Sequence, residues 1–217
     1  MQERTRFPDD DTFPAARAVY DGSMSIHAGD SFEDRTFEDL ALTGGSLGRK
    51  EFVGCMFVRC QLGGAELDGC HFERCRFKSC DLGVASIADA RLIETRFEDC
   101  RLGGIDWMTA RSLVFSVGFE RCDLTHASFV GVDLTDTQFI DCRAIDVAFM
   151  DSNLTGCCFD GTTLKDSRFE TADFTRADMS GATDLDVEPS TNRFKDTKVS
   201  LDAGLAILRK LGVVVGG

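Results

Sequence analysis

The sequence predicts an all-β solenoid, a four-sided rod ended by one short C-terminal α-helix. Three observations carry this. From Phe32 a large apolar residue recurs every five positions, through Phe37, Leu42, Leu47, Phe52 and Phe57 to Trp107; after a slip of two residues the beat resumes from Phe119 to Met179. From Cys55 onward the position two before nearly every large residue is small, as Cys55, Cys60, Ala65, Cys70, Cys75 and Cys80 in the first run and Cys122, Ala127, Val132 and Thr137 in the second. The kind of large residue repeats every twenty positions, so Phe37, Phe57, Phe77 and Phe97 form one series and Leu42, Leu62, Leu82 and Leu102 another.

A period of five fits neither the 3.6-residue helix nor the two-residue strand. It fits a chain that turns a corner every five residues. Four such units close one coil, and coils then stack at the inter-strand spacing of about 4.8 Å. Each unit sends one large and one small side chain inward and leaves three residues to water. The prolines are Pro8, Pro14 and Pro189, all outside the beat, as a continuous backbone ladder requires.

Residues 1–29 keep the beat poorly and are expected to form an N-terminal cap or arm. Residues 30–185 form the rod. Its register slips within 108–118, MTARSLVFSVG, where Met108, Thr109, Arg111 and Phe115 are the candidate loop residues. Residues 186–217 form the C-terminal cap, with room for one more half-coil centred on Phe194 and Val199. SLDAGLAILRKLG then reads as a helix: Ser200 is the N-cap, Asp202 lies in the first turn, Arg209 and Lys210 in the last, and Gly212 ends it. Leu201, Leu205, Leu208 and Leu211 make an apolar stripe, and Val213, Val214 and Val215 follow. A short helix with an apolar tail favours a two-fold homodimer.

The stretch CHFERCRFKSCDL (70–82) resembles a ligand set, but the beat assigns it otherwise. Cys70, Cys75 and Cys80 take the small inward position on three sides of one coil. They do not surround a common point, and no metal site is expected. His71, Arg74, Arg76 and Lys78 are expected to face water. Nine of the ten cysteines take the inward position and act as small apolar fillers; Cys158 falls one place later and should face outward. His27, His71 and His126 lie near serines and aspartates, but a rod filled by its own Phe and Leu leaves no pocket for catalysis. Neither catalytic residues nor a cofactor are expected.

The units AELDG (65–69), CDLTH (122–126), VDLTD (132–136), SNLTG (152–156), ADFTR (172–176) and ADMSG (177–181) resemble the pentapeptide repeat A-[DN]-L-x-x. The resemblance covers roughly residues 30 to 185 and implies a right-handed quadrilateral β-helix. The tail, through Leu208, Leu211, Gly212, Val213 and Val215, resembles the dimerising module of the Qnr-type quinolone-resistance proteins. That likeness implies a partner, DNA gyrase or topoisomerase IV, bound at its DNA-gripping saddle, and protection from quinolones or a natural gyrase poison. Qnr proteins of Gram-negative bacteria carry projecting loops; the beat here runs unbroken through residues 40–60. The chain is thus more similar to loop-poor, DNA-mimicking members of the MfpA type. A scaffold role toward an unrelated partner is the other reading.

Charge points to the surface that would serve such a partner. The chain has a net charge of -13, which excludes a general binder of nucleic acid or membrane surfaces. Residues 1–30 lack the apolar core of a secretory signal, and no apolar run is long enough for a membrane span, so a cytoplasmic protein is expected. Residues 112–185 hold thirteen acids and five bases, most of the excess. Stacked at twenty residues per coil, Asp146 and Asp166 share a column with His126 and Asp186. Asp133, Asn153 and Asp173 share another, expected on the adjacent side. Asp133, Asp136, Asp146, Asp166 and Asp173 are the candidate partner-binding residues.

Overall fold

The computed structural model describes residues 18–21, 26–27, 29–111 and 115–216. The chain winds as a parallel β-solenoid of about eight coils. Its strands are β1 (Ala18–Asp21), β2 (Ser31–Glu33), β3 (Arg35–Glu38), β4 (Glu51–Val53), β5 (Met56–Val58), β6 (His71–Glu73) and β7 (Arg76–Lys78). They continue as β8 (Arg91–Ile93), β9 (Thr95–Glu98), β10 (Val117–Glu120), β11 (Gln138–Ile140), β12 (Asp178–Met179) and β13 (Lys198–Val199). Wall 1 carries the parallel sheet β2-β4-β6-β8, and wall 2 carries β1-β3-β5-β7-β9-β10-β11 and the pair β12-β13. Wall 3, centred on Leu62, Leu82 and Leu102, and wall 4, centred on Leu67, Ile87 and Trp107, are joined by single parallel bridges such as Gln61↔Asp81 and Glu66↔Ser86.

The twenty-residue repeat is the register itself. Phe52 pairs with Phe72 and Phe57 with Phe77, so like stacks on like. The Phe57 and Phe77 rings lie 4.5 Å apart and nearly parallel, and Phe139 and Phe159 lie 4.8 Å apart. Neighbouring columns meet edge to face, as Phe52 does Phe57 at 5.2 Å, and the described core residues form one continuous buried cluster. The corners are made by residues with positive φ, many of them Asp, whose short polar side chain tolerates that conformation best after glycine.

Most of the cysteines follow corner type; Cys70 and Cys157 are exceptions, their N–H groups bonding back to Leu67 O and Leu154 O at 3.1 Å. Where two residues turn the corner without a strand, the inward N–H bonds back three residues, as Ala65 N to Leu62 O at 3.0 Å and Ala85 N to Leu82 O at 3.0 Å. Where a strand runs into the corner, the inward residue is Cys55, Cys60, Cys75, Cys80, Thr95, Cys100, Cys122 or Cys142. At these corners the thiol or hydroxyl bridges coils. Cys80 Sγ donates to Phe57 O at 3.3 Å and accepts from Cys60 N at 3.3 Å. Thr162 Oγ1, although its own N–H bonds back to Phe159 O at 3.2 Å, makes the same bridge between Phe139 O (2.7 Å) and Cys142 N (3.0 Å). The cysteines are therefore polar bridges as well as fillers. All ten are free thiols, nine of them buried and Cys158 partly exposed. Burial pushes the Cys70 thiol up to about 11.

Several expectations need correction. Arg76 does not face water: it is only 4% exposed, packed in the wall 2 column between Met56 and Arg96, with Nε 3.4 Å from Glu98 Oε1. His71 is half-buried between Glu51 and Glu73. The slip is narrower than 108–118. Pairing is offset by twenty residues up to Asp89 N to Thr109 O and by twenty-two from Thr95↔Val117, so the register gains two residues between Arg111 and Ser116. Met108 and Thr109 belong to a 3-10 turn (Trp107–Thr109) within wall 4, and Arg111 N still bonds Ala90 O at 2.8 Å. Of the four candidate loop residues Phe115 alone lies at the insertion, half-buried with its ring 6.2 Å from Trp107. Residues 112–114 lie outside the described residues.

Both ends are closed by specific contacts. The wall 2 ladder already begins in β1, where Tyr20 pairs with Phe37, within the expected arm. The DDD run at 9–11 lies outside the described residues. Lys50 takes an inward position that is small in most coils, and its Nζ reaches Gly29 O at 2.6 Å, tying down the first coil. At the other end Arg193 bridges to Asp173 and Val199 pairs with Met179, adding the half-coil. Helix α1 (Leu201–Lys210) follows, with Ser200 Oγ accepting from Ala203 N at 3.2 Å. Ile207 packs on the core, while Leu201, Leu208, Leu211, Val213, Val214 and Val215 are exposed and Leu205 is half-buried.

Candidate partner-binding surface

The acidic residues are set out by the same register that builds the core. On wall 1, Asp133, Asn153 and Asp173 form one column through the bridges Asp133↔Asn153 and Asn153↔Asp173, and Arg193 continues it. Asn153 Nδ2 donates to Asp133 Oδ1 at 3.0 Å. Asp133 Oδ1 also accepts from Thr135 N and Thr135 Oγ1, at 3.1 and 2.6 Å, and Asp173 Oδ1 does the same with Thr175 at 2.9 and 2.6 Å. One oxygen of each carboxylate thus pins its own turn. Burial acts to raise the Asp173 carboxyl, but the Thr175 hydrogen bonds and nearby Arg193 outweigh it and hold it below the ordinary value. Asp136 stands at the corner after wall 1, exposed.

Asp146 and Asp166 stand on the edge between walls 3 and 4, one coil apart. Asp146 Oδ2 lies 3.0 Å from His126 Nδ1, and its other oxygen lies 3.9 Å from Arg168. Asp166 is exposed and makes no ion pair among the described residues. Wall 4 lies between this edge and the Asp133 column. The two sets are therefore not on adjacent sides, and the five candidate residues do not share one face. The register brings together Asp133 with Asp173, and Asp146 with Asp166; it does not bring the pairs to each other.

Bases placed one coil from an acid were missed by reading the acids alone. Arg59 meets Asp39 at 2.9 Å, Arg121 meets Asp99 at 2.7 Å, Arg143 meets Asp123 at 3.4 Å and Lys198 meets Asp178 at 3.2 Å. Separations of twenty or twenty-two residues mark these pairs in the sequence. Among the exposed acids they leave without an ion pair, within the described residues, are Asp133, Asp136, Asp151 and Asp166.

At the C-terminal end the exposed apolar residues of α1 face an open groove of about 520 Å³ against the last half-coil. Phe194, Val199, Leu201, Gly204, Leu205 and Leu208 line it. No helix among the described residues is long and apolar enough to cross a membrane.

The five-residue unit, the four walls and the columns of stacked Phe and Leu define a right-handed quadrilateral β-helix. The chain belongs to the pentapeptide repeat family: the model described as pentapeptide repeat region matches residues 50–129 and 122–199. Among solved structures it is similar to trypsin-treated QnrB1, a plasmid-mediated fluoroquinolone resistance protein, at 22% identity and a TM-score of 0.61, over 83% of this chain and 100% of that one. It is also similar to HetL, a pentapeptide repeat protein involved in heterocyst differentiation regulation from the cyanobacterium Nostoc sp. That match has 17% identity and a TM-score of 0.43, over 80% of this chain and 91% of the other. A search of curated proteins finds no sequence match.

Proposed function

We propose that this protein is a homodimeric, cytoplasmic DNA mimic. On this reading it binds a type II topoisomerase, DNA gyrase or topoisomerase IV, at the surface that grips DNA, and protects it from quinolones or a natural gyrase poison. The observation that carries the reading is charge density on a stiff rod. Residues 112–185 hold eight more acids than bases. Over about three and a half coils of ~4.8 Å this is roughly one net negative charge per 2 Å of axis, close to the ~1.7 Å of duplex DNA. The fold shared with a fluoroquinolone resistance protein supports the same reading.

The dimer doubles the rod. The exposed stripe of Leu201, Leu208, Leu211, Val213 and Val215, with half-buried Leu205, supplies an apolar face for a twin helix at the end of each rod. Protection would act by occupying the enzyme's DNA saddle, so that the drug-stabilised cleavage complex is not assembled.

A supercoiling and cleavage assay with purified gyrase tests this, run with ciprofloxacin and with albicidin. The expected result is inhibition of supercoiling at high protein and relief of poisoning at lower protein. Neither inhibition nor relief, with no binding at low salt, would dismiss the topoisomerase reading; a pull-down that recovers an unrelated partner would favour a scaffold.

A further inference from the structure

An apolar stripe runs along the outside of wall 4. At the outward position after the core residue, successive coils carry Ala88, Met108, Val130 and Met150. The bond from Asp89 N to Thr109 O and the bridges Asp106↔Ser128 and Ser128↔Ala148 put the four in line, one coil apart. Among the described residues of the rod, the exposed large apolar side chains are Val84 (69%) and Met108 (56%). Both lie here, Val84 on the edge of wall 4 and Met108 on the stripe itself. Carboxylates frame the stripe: Asp146 and Asp166 on one edge, Asp89 and Asp151 on the other, Asp106 and Glu170 along it. From Ser86 to Thr171 the outward positions of this wall carry one base, Arg168.

We propose that wall 4 is a docking surface for a cationic amphipathic α-helix of a partner protein. A helix laid along the rod presents an apolar contact every ~5.4 Å, and the wall offers one every ~4.8 Å. Over the three steps from Ala88 to Met150 the two drift apart by only ~2 Å, within the reach of a flexible methionine. Lysines or arginines flanking the helix stripe then meet the framing carboxylates. Duplex mimicry needs only charge, whereas this surface also needs an apolar match. The proposal therefore goes beyond the topoisomerase reading and holds whichever protein supplies the helix.

The test uses the full chain and a fluorescein-labelled 18-residue Leu/Lys peptide of helical periodicity, with a scrambled peptide of the same composition, read by anisotropy at 50 and 300 mM salt. The patterned peptide should bind at least tenfold more tightly than the scrambled one. Met108→Glu should remove most of that difference, and Met150→Gln, a change of similar size, should reduce it. Circular dichroism melts should match the parent for both variants. Equal binding of the two peptides, or full binding by Met108→Glu, overturns the proposal. So does a change from dimer to monomer on Met108→Glu in light scattering, which would assign wall 4 to a second copy.

Discussion

The Sγ of Cys80 accepts the backbone N–H of Cys60, 3.3 Å away, one coil below it. The Cys60 amide is buried at a corner where the strand leaves it no partner three residues back, so the thiol stands in for a missing turn hydrogen bond. Leaving a buried donor unmet costs about 1–3 kcal/mol. Cys80→Ala should therefore lower stability by about that amount, and Cys80→Ser, which keeps an acceptor, should lose less. Denaturant melts of both variants decide it; an Ala variant as stable as the Ser variant removes the bridging role.

Lys50 offers a second test at the first coil. Its Nζ donates to Gly29 O and lies 3.4 Å from exposed Asp30, while its stem is buried. Lys50→Met keeps the stem and deletes the bond. Gly29 O is then left unmet near the end of the rod. Hydrogen exchange should rise in residues 29–40 while protection at Phe139 and Phe149 is unchanged. Uniform exchange along the rod would contradict an end-capping role.

Acid should loosen the outer pairs. Hydrogen bonds from Arg121, against a smaller effect of burial, hold the Asp99 carboxyl below its ordinary value. A depressed folded-state value means that its stabilisation is complete above the unfolded value of about 3.9 and disappears as pH falls through the folded value. Asp99 is 39% exposed, so the contribution is small and screened by salt. The melting temperature should fall between pH 4 and pH 2, and Asp99→Asn should fall less over that range. Identical slopes would show that the pair adds nothing.

Much of this was legible in the sequence, because a solenoid converts period directly into position. Phe57 over Phe77 and Asp133 over Asn153 follow from counting by twenty. The choice between Cys and Ala at the inward position was also printed there, but its meaning needs the two corner types, which differ only in backbone hydrogen bonding. Burial of Arg76 was not legible: an outward position in a column of long side chains is covered by its neighbours Met56 and Arg96. The role of Lys50 was hidden because it depends on where the rod ends. Counting by five within a coil separates Asp146 from Asp133 by a whole wall; the columns alone conceal that.

The C-terminal face gives a prediction on assembly. Leu208 and Leu211 are 39% and 56% exposed on a helix whose Ile207 already packs on its own rod. Leu208→Glu with Leu211→Glu leaves the Ile207 contact intact. Light scattering should then read a monomer with an unchanged circular dichroism melt. A dimer that survives would place the interface elsewhere.

The separation of the two acidic sets allows the proposed docking edge to be chosen. Asp133 and Asp173 each commit one oxygen to a threonine turn, and Asp133 is also bridged by Asn153. Asp166 on the opposite edge is exposed and carries no such bonds, and Asp146 faces only His126 and, more distantly, Arg168. A carboxylate free to turn toward a partner's lysine or arginine gains more from docking than one already held. Asp146→Asn with Asp166→Asn should therefore weaken binding to gyrase at low salt more than Asp133→Asn with Asp173→Asn. The second pair should instead cost stability, since each amide offers a poorer acceptor to Thr135 or Thr175. The reverse order of affinities would move the docking surface to wall 1. Equal losses from both pairs would mean that the enzyme surrounds the rod, as it would a duplex.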